Sequence, residues 1–172
     1  MAIDDLQGRR QLLELSGLGG GRILDMGMGD CGCMSFFLAQ RGFEVVGIDS
    51  SSIAVHNSRK GADLKKFKGS FRVRRMNAEK TSFEDESFDA VFSYHSMHDM
   101  PNPDKVIKEM FRVCRKGGSV AISDLNARGR SEYGHEPDEY FLLDVERQLK
   151  KYSKQIRKGK TAINEMFICK KK

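Results

Sequence analysis

The chain contains two apolar runs that each end in an acid and are separated by a glycine-rich turn. The first run ends at Asp25 and continues into a turn with three glycines between residues 27 and 32; the second ends at Asp49, twenty residues after Gly29. Glycine lets backbone N–H groups approach a ligand closely, and an acid at the end of the next strand accepts hydrogen bonds from ribose hydroxyls. The pattern predicts a nucleotide-cofactor site.

The glycine pattern by itself fits a nicotinamide or flavin site equally well. Asp25 precedes the first glycine, where a dinucleotide site places its pyrophosphate, and a carboxylate there would repel the phosphates. The acid therefore favours a cofactor with a cationic end, such as S-adenosylmethionine, which carries an ammonium and a sulfonium group and no phosphate.

Five blocks in order resemble the motifs of class I S-adenosylmethionine-dependent methyltransferases and together cover residues 22–124. They are Asp25 to Gly32, Gly47 to Ser50, Asn77 to Glu79, Ser87 to Val91, and Val106 to Ile122. Two positions depart from the usual family pattern. The third glycine comes one place late, at Gly32, and Asn77 stands where an acid is usual, although its amide oxygen also accepts hydrogen bonds.

The resemblance implies a Rossmann-like α/β fold: a doubly wound, mostly parallel seven-stranded sheet with an antiparallel final strand pair. It also implies S-adenosylmethionine as cofactor. The cofactor-binding residues expected from the matched motifs are Asp25, Gly27, Met28, Gly29, Asp49, Ser50, Asn77, Ala78, Glu79 and Ser93.

Apolar segments alternate between strand and helix periodicity over most of the chain, which indicates parallel strands joined by crossovers. We predict strands at 22–26, 44–48, 71–76, 89–94 and 118–123, and helices at 33–41, 51–63, 104–115 and 137–150. Residues 126–137 are interpreted as a mobile connector, and strands at 152–158 and 162–170 as an antiparallel pair joined at Lys158 to Lys160. The length predicts one domain over 1–172, with an N-terminal helical segment at 1–21 and basic closing strands at 150–172.

The acceptor side is expected just after the fourth strand, where two of the four histidines lie. Tyr94, His95 and His98 are the candidate catalytic residues, because an imidazole can remove a proton near neutral pH; the alternative is catalysis by proximity alone, with structural histidines. Tyr133, His135 and Tyr140 follow the fifth strand and are expected to cover the acceptor pocket.

Charge is uneven along the chain: residues 150–172 hold nine basic residues and one acid. This tail predicts either a solvated strand edge or a nucleic-acid contact, of which the edge is favoured. Cys31 and Cys33 are expected to stay reduced, as incidental thiols or as ligands for a soft substrate, and no metal site is expected. Without a secretion signal or a membrane-length apolar run, a cytoplasmic location is expected.

The sequence thus predicts an S-adenosylmethionine-dependent methyltransferase with a small-molecule acceptor. Two other functions remain open at this point: an NAD-dependent oxidoreductase, and a cofactor-binding module that binds nucleic acid through its basic tail.

Overall fold

Strands and helices alternate in the computed structural model, which describes residues 5–135 and 141–172 apart from the Leu143 side chain. The strands are β1 (Arg22–Met26), β2 (Glu44–Asp49), β3 (Ser70–Arg75), β4 (Phe88–Tyr94), β5 (Cys114–Leu125), β6 (Ile156–Lys160) and β7 (Asn164–Lys170). The helices are α1 (Leu6–Ser16), α2 (Cys33–Ala39), α3 (Ser52–Asp63), α4 (Pro103–Val113), α5 (Ala127–Glu132) and α6 (Phe141–Leu149), and a 3₁₀ helix spans Met97–Asp99.

All seven strands form one sheet in the order β3-β2-β1-β4-β5-β7-β6. Strands β1 to β5 run parallel to one another, and β7 runs antiparallel to both β5 and β6. The predicted fold class, including the antiparallel final pair, is therefore confirmed.

The central strands are apolar on both faces, so each face of the sheet supports its own core. Alternate residues of one strand point to opposite faces: Ile23 joins Leu12 of α1 and the apolar side of α2, whereas Leu24 joins the apolar sides of α4 and α6. Helices on both faces leave the carboxyl ends of β1, β2 and β4 open at one edge, where ligands bind in folds of this type.

The closing hairpin lies later in the chain than predicted. β6 continues through Lys160, and the turn uses Thr161, whose Oγ1 accepts hydrogen bonds from the backbone N–H groups of Ile163 and Asn164. Gly159 lies within β6 and packs closely against α1. A Cβ at this position would come too close to the end of the Leu15 side chain. The glycine that indicated a turn provides close packing instead.

The expected connector after β5 contains a helix. Asn126 accepts a hydrogen bond from the Gly129 N–H through its side chain, which caps α5 at its N-terminus. The predicted helix over 137–150 is present as α6 from Phe141 to Leu149, and its first predicted residues lie outside the described part of the chain.

The basic side chains of the tail are largely solvent-exposed, as favoured for a solvated strand edge, but two of its lysines also bind groups of the protein itself. Lys170 Nζ donates to Ser119 Oγ at 2.7 Å, and Lys171 Nζ donates to the Cys114 carbonyl at 2.8 Å. Among the described helices, none has both the length and the apolar character that crossing a membrane requires.

Candidate functional site

Two adjoining cavities open at the carboxyl ends of β1, β2 and β4. The first cavity, about 250 Å³, is lined by Gly27, Gly29, Ile48, Asp49, Ser50, Met76, Asn77, Ala78, Glu79, His95, Ser96, Asp99, Met100, Pro101 and Val106. The second cavity, about 520 Å³, is lined by Asp5, Arg9, Asp25, Gly27, Met28, Gly29, Cys31, Cys33, Met34, Tyr94, His95 and Tyr133. Gly27, Gly29 and His95 belong to both walls, so these three residues mark where the cavities meet.

The glycine loop after β1 is held against β2. The N–H groups of Gly27 and Met28 both donate to the Ile48 carbonyl, at 2.9 and 3.1 Å. Gly27 has φ +75°, and a Cβ there would collide with Ser96. Only glycine therefore fits at this turn, and the loop backbone forms part of the wall of both cavities.

Asp25 is fully buried near the end of β1, and only one of its two carboxylate oxygens has a hydrogen-bond partner in the described part of the chain. Ser35 Oγ donates to its Oδ2 at 2.6 Å, whereas its Oδ1 is buried without a hydrogen-bond partner among the described residues. Burial raises the pKa of Asp25 to about 6, and the nearby Asp49 charge adds to the rise, while the bond from Ser35 opposes it. A buried carboxylate with a free oxygen at the second cavity is complementary to a cationic group such as an ammonium.

Asp49 joins β2 to both the glycine loop and the next helix. Its Oδ2 accepts from the Gly29 N–H at 3.0 Å, and its Oδ1 accepts from the Ser51 N–H at 2.9 Å. The cap of α3 is Ser51, which accepts from the Ala54 N–H. Each carboxylate oxygen can accept a second bond, so Asp49 still offers acceptors to hydroxyl groups in the first cavity.

The segment after β3 forms the far wall of the first cavity. Asn77 Oδ1 accepts from the Glu79 N–H at 2.8 Å, and Glu79 Oε1 accepts from Asn102 at 2.8 Å. Met76 and Ala78 add apolar surface beside these polar groups. The wall suits a flat, partly polar ring such as a nucleobase.

Four polar side chains, from three distant parts of the chain, surround the floor of the second cavity. His95 Nε2 lies 2.5 Å from Asn164 Oδ1 and 3.4 Å from Asp5 Oδ2, and both Tyr94 and Asn164 donate to Asp5 Oδ2. Because both neighbours of His95 Nε2 are oxygen acceptors, the proton of a neutral ring belongs on Nε2 and the lone pair on Nδ1. Asp5 and Asn164 were missed in the sequence, since no local motif points to them.

The contacts within this cluster shift the pKa values of Asp5 and Tyr94. Burial opposes ionisation of Asp5, but the bonds from His95, Tyr94, Asn164 and the Gly8 N–H outweigh it and lower its pKa. Burial and the ionised Asp5 both raise the pKa of Tyr94 far above its usual range. The Tyr94 phenol therefore stays protonated, which argues against a proton-accepting role for this candidate catalytic residue.

Two other predicted site residues, Ser93 and His98, lie outside both cavities. Ser93 is fully buried and bonds Ser96 Oγ at 2.9 Å, so Ser96 occupies the wall position that the sequence assigned to Ser93. His98 belongs to the 3₁₀ helix, and its side chain is buried against β5, where Asp124 Oδ1 lies 2.6 Å from its Nδ1. Burial opposes protonation of His98, but Asp124 outweighs it and raises the His98 pKa. The predicted cofactor residues other than Ser93 all line one cavity or the other.

Cys31 and Cys33 form a disulfide in the wall of the second cavity, contrary to the expectation of free thiols. The loop places their Cα atoms 5.1 Å apart, within the range that a disulfide spans. As a disulfide, the pair offers no thiolate to a soft substrate. Of the cover residues expected over the acceptor pocket, Tyr133 lines the second cavity, His135 lies beside His98, and Tyr140 lies outside the described residues.

Comparison with known proteins gives a consistent result. Residues 24–122 match a family model described as a methyltransferase domain. A phosphatidylethanolamine N-methyltransferase of Cereibacter sphaeroides is 35% identical over 64% of this chain and 54% of its own. A ubiquinone biosynthesis O-methyltransferase of Alkalilimnicola ehrlichii is 35% identical over 68% of this chain and 47% of its own. The chain thus spans about half the length of these relatives.

The fold also matches solved structures. The structure of a SAM-dependent methyltransferase from Aquifex aeolicus aligns with a TM-score of 0.78 at 23% identity, covering 94% of this chain and 88% of that one. At this identity the likeness shows the fold alone.

Proposed function

The chain belongs to the class I S-adenosylmethionine-dependent methyltransferases, and on that premise we propose that it transfers the cofactor's methyl group to a small-molecule acceptor. The observation that carries the proposal is the free, buried Oδ1 of Asp25 beside the glycine loop. A dinucleotide would bring its pyrophosphate close to this carboxylate and be repelled, whereas an ammonium group would satisfy it. The alternative of an NAD-dependent oxidoreductase is disfavoured for this reason.

Different residues around the two cavities bind different parts of the cofactor. In this proposal Asp25 and the backbone of Gly27 and Gly29 hold the methionine end where the cavities meet. Asp49 accepts hydrogen bonds from the ribose hydroxyls, while Asn77 and its neighbours hold the adenine. Every one of these residues lines a cavity wall in the structure.

When bound, S-adenosylmethionine supplies a methyl group already activated by its positive sulfur. The protein therefore has to hold the acceptor in line, exclude water and accept or release a proton. His95 is the residue placed for the proton, because it lies in both cavity walls and its neighbours keep the Nε2 proton in place. The lone pair on Nδ1 is then available to an acceptor hydroxyl or amine.

The second cavity favours a small acceptor with apolar surface. Met28, Met34, Tyr94 and Tyr133 give it a wall of flexible and aromatic side chains, which adapts to apolar molecules. The similarity to an N-methyltransferase of a phospholipid and to O-methyltransferases of ubiquinone biosynthesis supports the same class of acceptor. Two of the tail's nine basic residues, Lys170 and Lys171, bind the protein's own groups, which reduces the charge available to the nucleic-acid alternative. A cytoplasmic location stays a prediction.

The test measures cofactor choice first and the acceptor second. Calorimetry compares the binding of S-adenosylmethionine, its demethylated product and NAD. We expect the protein to bind the first two ligands and not NAD. Binding of NAD but not of the other two would exclude the proposal. The protein is then incubated with methyl-labelled cofactor and a cell extract, and label is followed into solvent-extractable, protease-sensitive and nuclease-sensitive fractions. We expect label in the solvent-extractable fraction.

A further inference from the structure

Three side chains with metal-binding atoms meet beside the first cavity: His98, Asp99 and His135. One ligand atom from each lies within 4.8 Å of the other two. His98 and Asp99 belong to the 3₁₀ helix after β4, whereas His135 follows α5, so the fold and not the local sequence brings them together. The rings of His98 and His135 stand edge to face with their centres 4.8 Å apart.

His98 is held in the orientation of a metal ligand. Its side chain is only 3% exposed, and Asp124 Oδ1 lies 2.6 Å from Nδ1, so Nδ1 carries the proton and donates it. Nε2 is buried and has no hydrogen-bond partner among the described residues; Asp99 Oδ1 is the nearby acid, at 3.6 Å. A buried ring nitrogen without a hydrogen bond is unfavourable, and a cation bound to its lone pair removes that cost.

Asp124 supports this arrangement from behind. It is fully buried and accepts hydrogen bonds from the backbone N–H groups of His98 at 3.1 Å and of Leu125 at 2.8 Å, besides the bond from the His98 ring. A carboxylate that binds the far nitrogen of a histidine fixes the ring and its tautomer, which is the usual outer shell of a metal-binding histidine.

The geometry points to a binding site for a divalent first-row transition metal ion, formed by His98 Nε2, a carboxylate oxygen of Asp99 and a ring nitrogen of His135. Two imidazoles and one carboxylate suit Zn²⁺, Fe²⁺ or Co²⁺ better than Mg²⁺ or Ca²⁺, which prefer oxygen ligands alone. Around a tetrahedral Zn²⁺ such atoms lie about 3.3 Å apart, so ligand atoms that lie up to 4.8 Å apart without the ion have to move closer together to bind it. The Asp99 side chain, 70% exposed, is free to do so.

Such an ion would connect the walls of the two cavities. Asp99 lines the first cavity, and Tyr133, two residues before His135, lines the second. The bound ion joins the 3₁₀ helix to the end of α5, and three protein ligands leave a coordination position open. Metal binding would therefore fix the walls of the two cavities relative to each other, whichever acceptor the protein uses.

The test is Zn²⁺ binding to chelator-treated protein, measured by calorimetry, with Co²⁺ absorption as a second readout of the ligand set. All measurements use a Cys31→Ser/Cys33→Ser background, so that reduction of the Cys31–Cys33 disulfide during preparation cannot supply thiolates that bind either ion. We expect one Zn²⁺ per chain, and a loss of affinity of about a hundredfold or more in His135→Gln and in Asp99→Asn. Both positions are partly or largely exposed, so these variants should fold, which circular dichroism verifies.

His56→Gln is the matched control, because His56 lies exposed on α3; it should bind Zn²⁺ as the background protein does. The inference is overturned if the background protein binds no Zn²⁺, if His135→Gln and Asp99→Asn bind it unchanged, or if His56→Gln abolishes binding.

Discussion

Gly29 donates its backbone N–H to Asp49 Oδ2 across 3.0 Å, so the loop that follows β1 is tied to the last residue of β2. The two halves of the proposed cofactor site are therefore one connected structure, and a change at Asp49 acts on both.

Replacing Asp49 by alanine should weaken both S-adenosylmethionine and its demethylated product by roughly 1.5 to 3 kcal/mol, about ten- to a hundredfold. The variant loses the charged acceptor for the ribose hydroxyls and the contact that orders the glycine loop. Calorimetry measures the loss, and Asp63→Ala, at an exposed position near the end of α3, is the control. Unchanged affinity in a folded Asp49→Ala protein would contradict the assignment of this residue.

Asp25 should make the stability of the cofactor-free protein depend on pH. Its pKa rises from 3.8 to about 6 on folding, since burial penalises the ionised form more than Ser35 stabilises it. The folded state thus binds the proton more tightly than the unfolded state, and this contribution is fully present below about pH 4 and lost as the pH rises through 6. From pH 8 to pH 4, the free energy of unfolding of the wild type should gain roughly 2 kcal/mol relative to Asp25→Asn. Denaturant titrations of both proteins at each pH measure the difference between their free energies of unfolding. A difference that stays constant from pH 8 to pH 4 would refute the prediction.

His95→Asn should lower turnover by about a hundredfold or more while cofactor affinity stays near that of the wild type. His95 has φ +52°, and asparagine tolerates this left-handed backbone better than alanine does, so the substitution removes the imidazole with little backbone strain. Single-turnover rates and cofactor affinity are measured on the same samples with the labelled acceptor fraction, and with His56→Asn as control. Full turnover in His95→Asn would show that the reaction proceeds by proximity alone.

Glu109→Ala should destabilise the protein by about 3 kcal/mol. Glu109 is buried on α4, where its Oε1 accepts from the N–H and Oγ1 of Thr81 and pairs with Arg112. Burial raises the pKa of this carboxyl, but the bonds from Arg112 and Thr81 outweigh it and lower the pKa to about 2. This stability is present above about pH 4.5 and is lost as the pH falls toward 2.

Chemical denaturation at pH 7 measures the effect of Glu109→Ala, and Glu132→Ala provides the comparison. Glu132 pairs with Arg128 on the exposed face of α5, and a surface pair of this kind contributes less than about 1 kcal/mol. If Glu109→Ala and Glu132→Ala lowered the free energy of unfolding equally, the buried Glu109 network would contribute no more to stability than a surface ion pair.

The residues that local sequence could identify are those whose position follows from one strand and the turn after it. Asp25, Gly27 and Asp49 lie where predicted because a strand ending in an acid and a glycine turn fixes them within a few residues. Ser93 was expected to line the cofactor cavity, but the cavity is lined by Ser96, which follows the end of β4. The sequence shows that hydroxyl side chains lie near this strand end, but it does not show which of them faces the cavity.

Contacts between segments that are distant in sequence could not be predicted from local sequence patterns. Asp5 and Asn164 are 159 residues apart in sequence yet meet beneath His95, and only the pairing of β7 with β5 places Asn164 there. The same reason hid the grouping of His98 with His135: metal ligands were sought among the cysteines, whose spacing is visible in sequence. At Gly159, a glycine used for packing was taken for a turn.

The two outermost strands of the sheet, β3 and β6, both carry rows of positive charge. β3 contributes three arginines, and β6 contributes an arginine and two lysines. Unpaired strand edges invite other chains to add to the sheet, but two copies of this protein meeting at either edge would bring like charges together. The molecule is thereby protected against edge-to-edge aggregation by repulsion, and concentrated salt, which screens that repulsion, should be the condition under which its copies begin to associate.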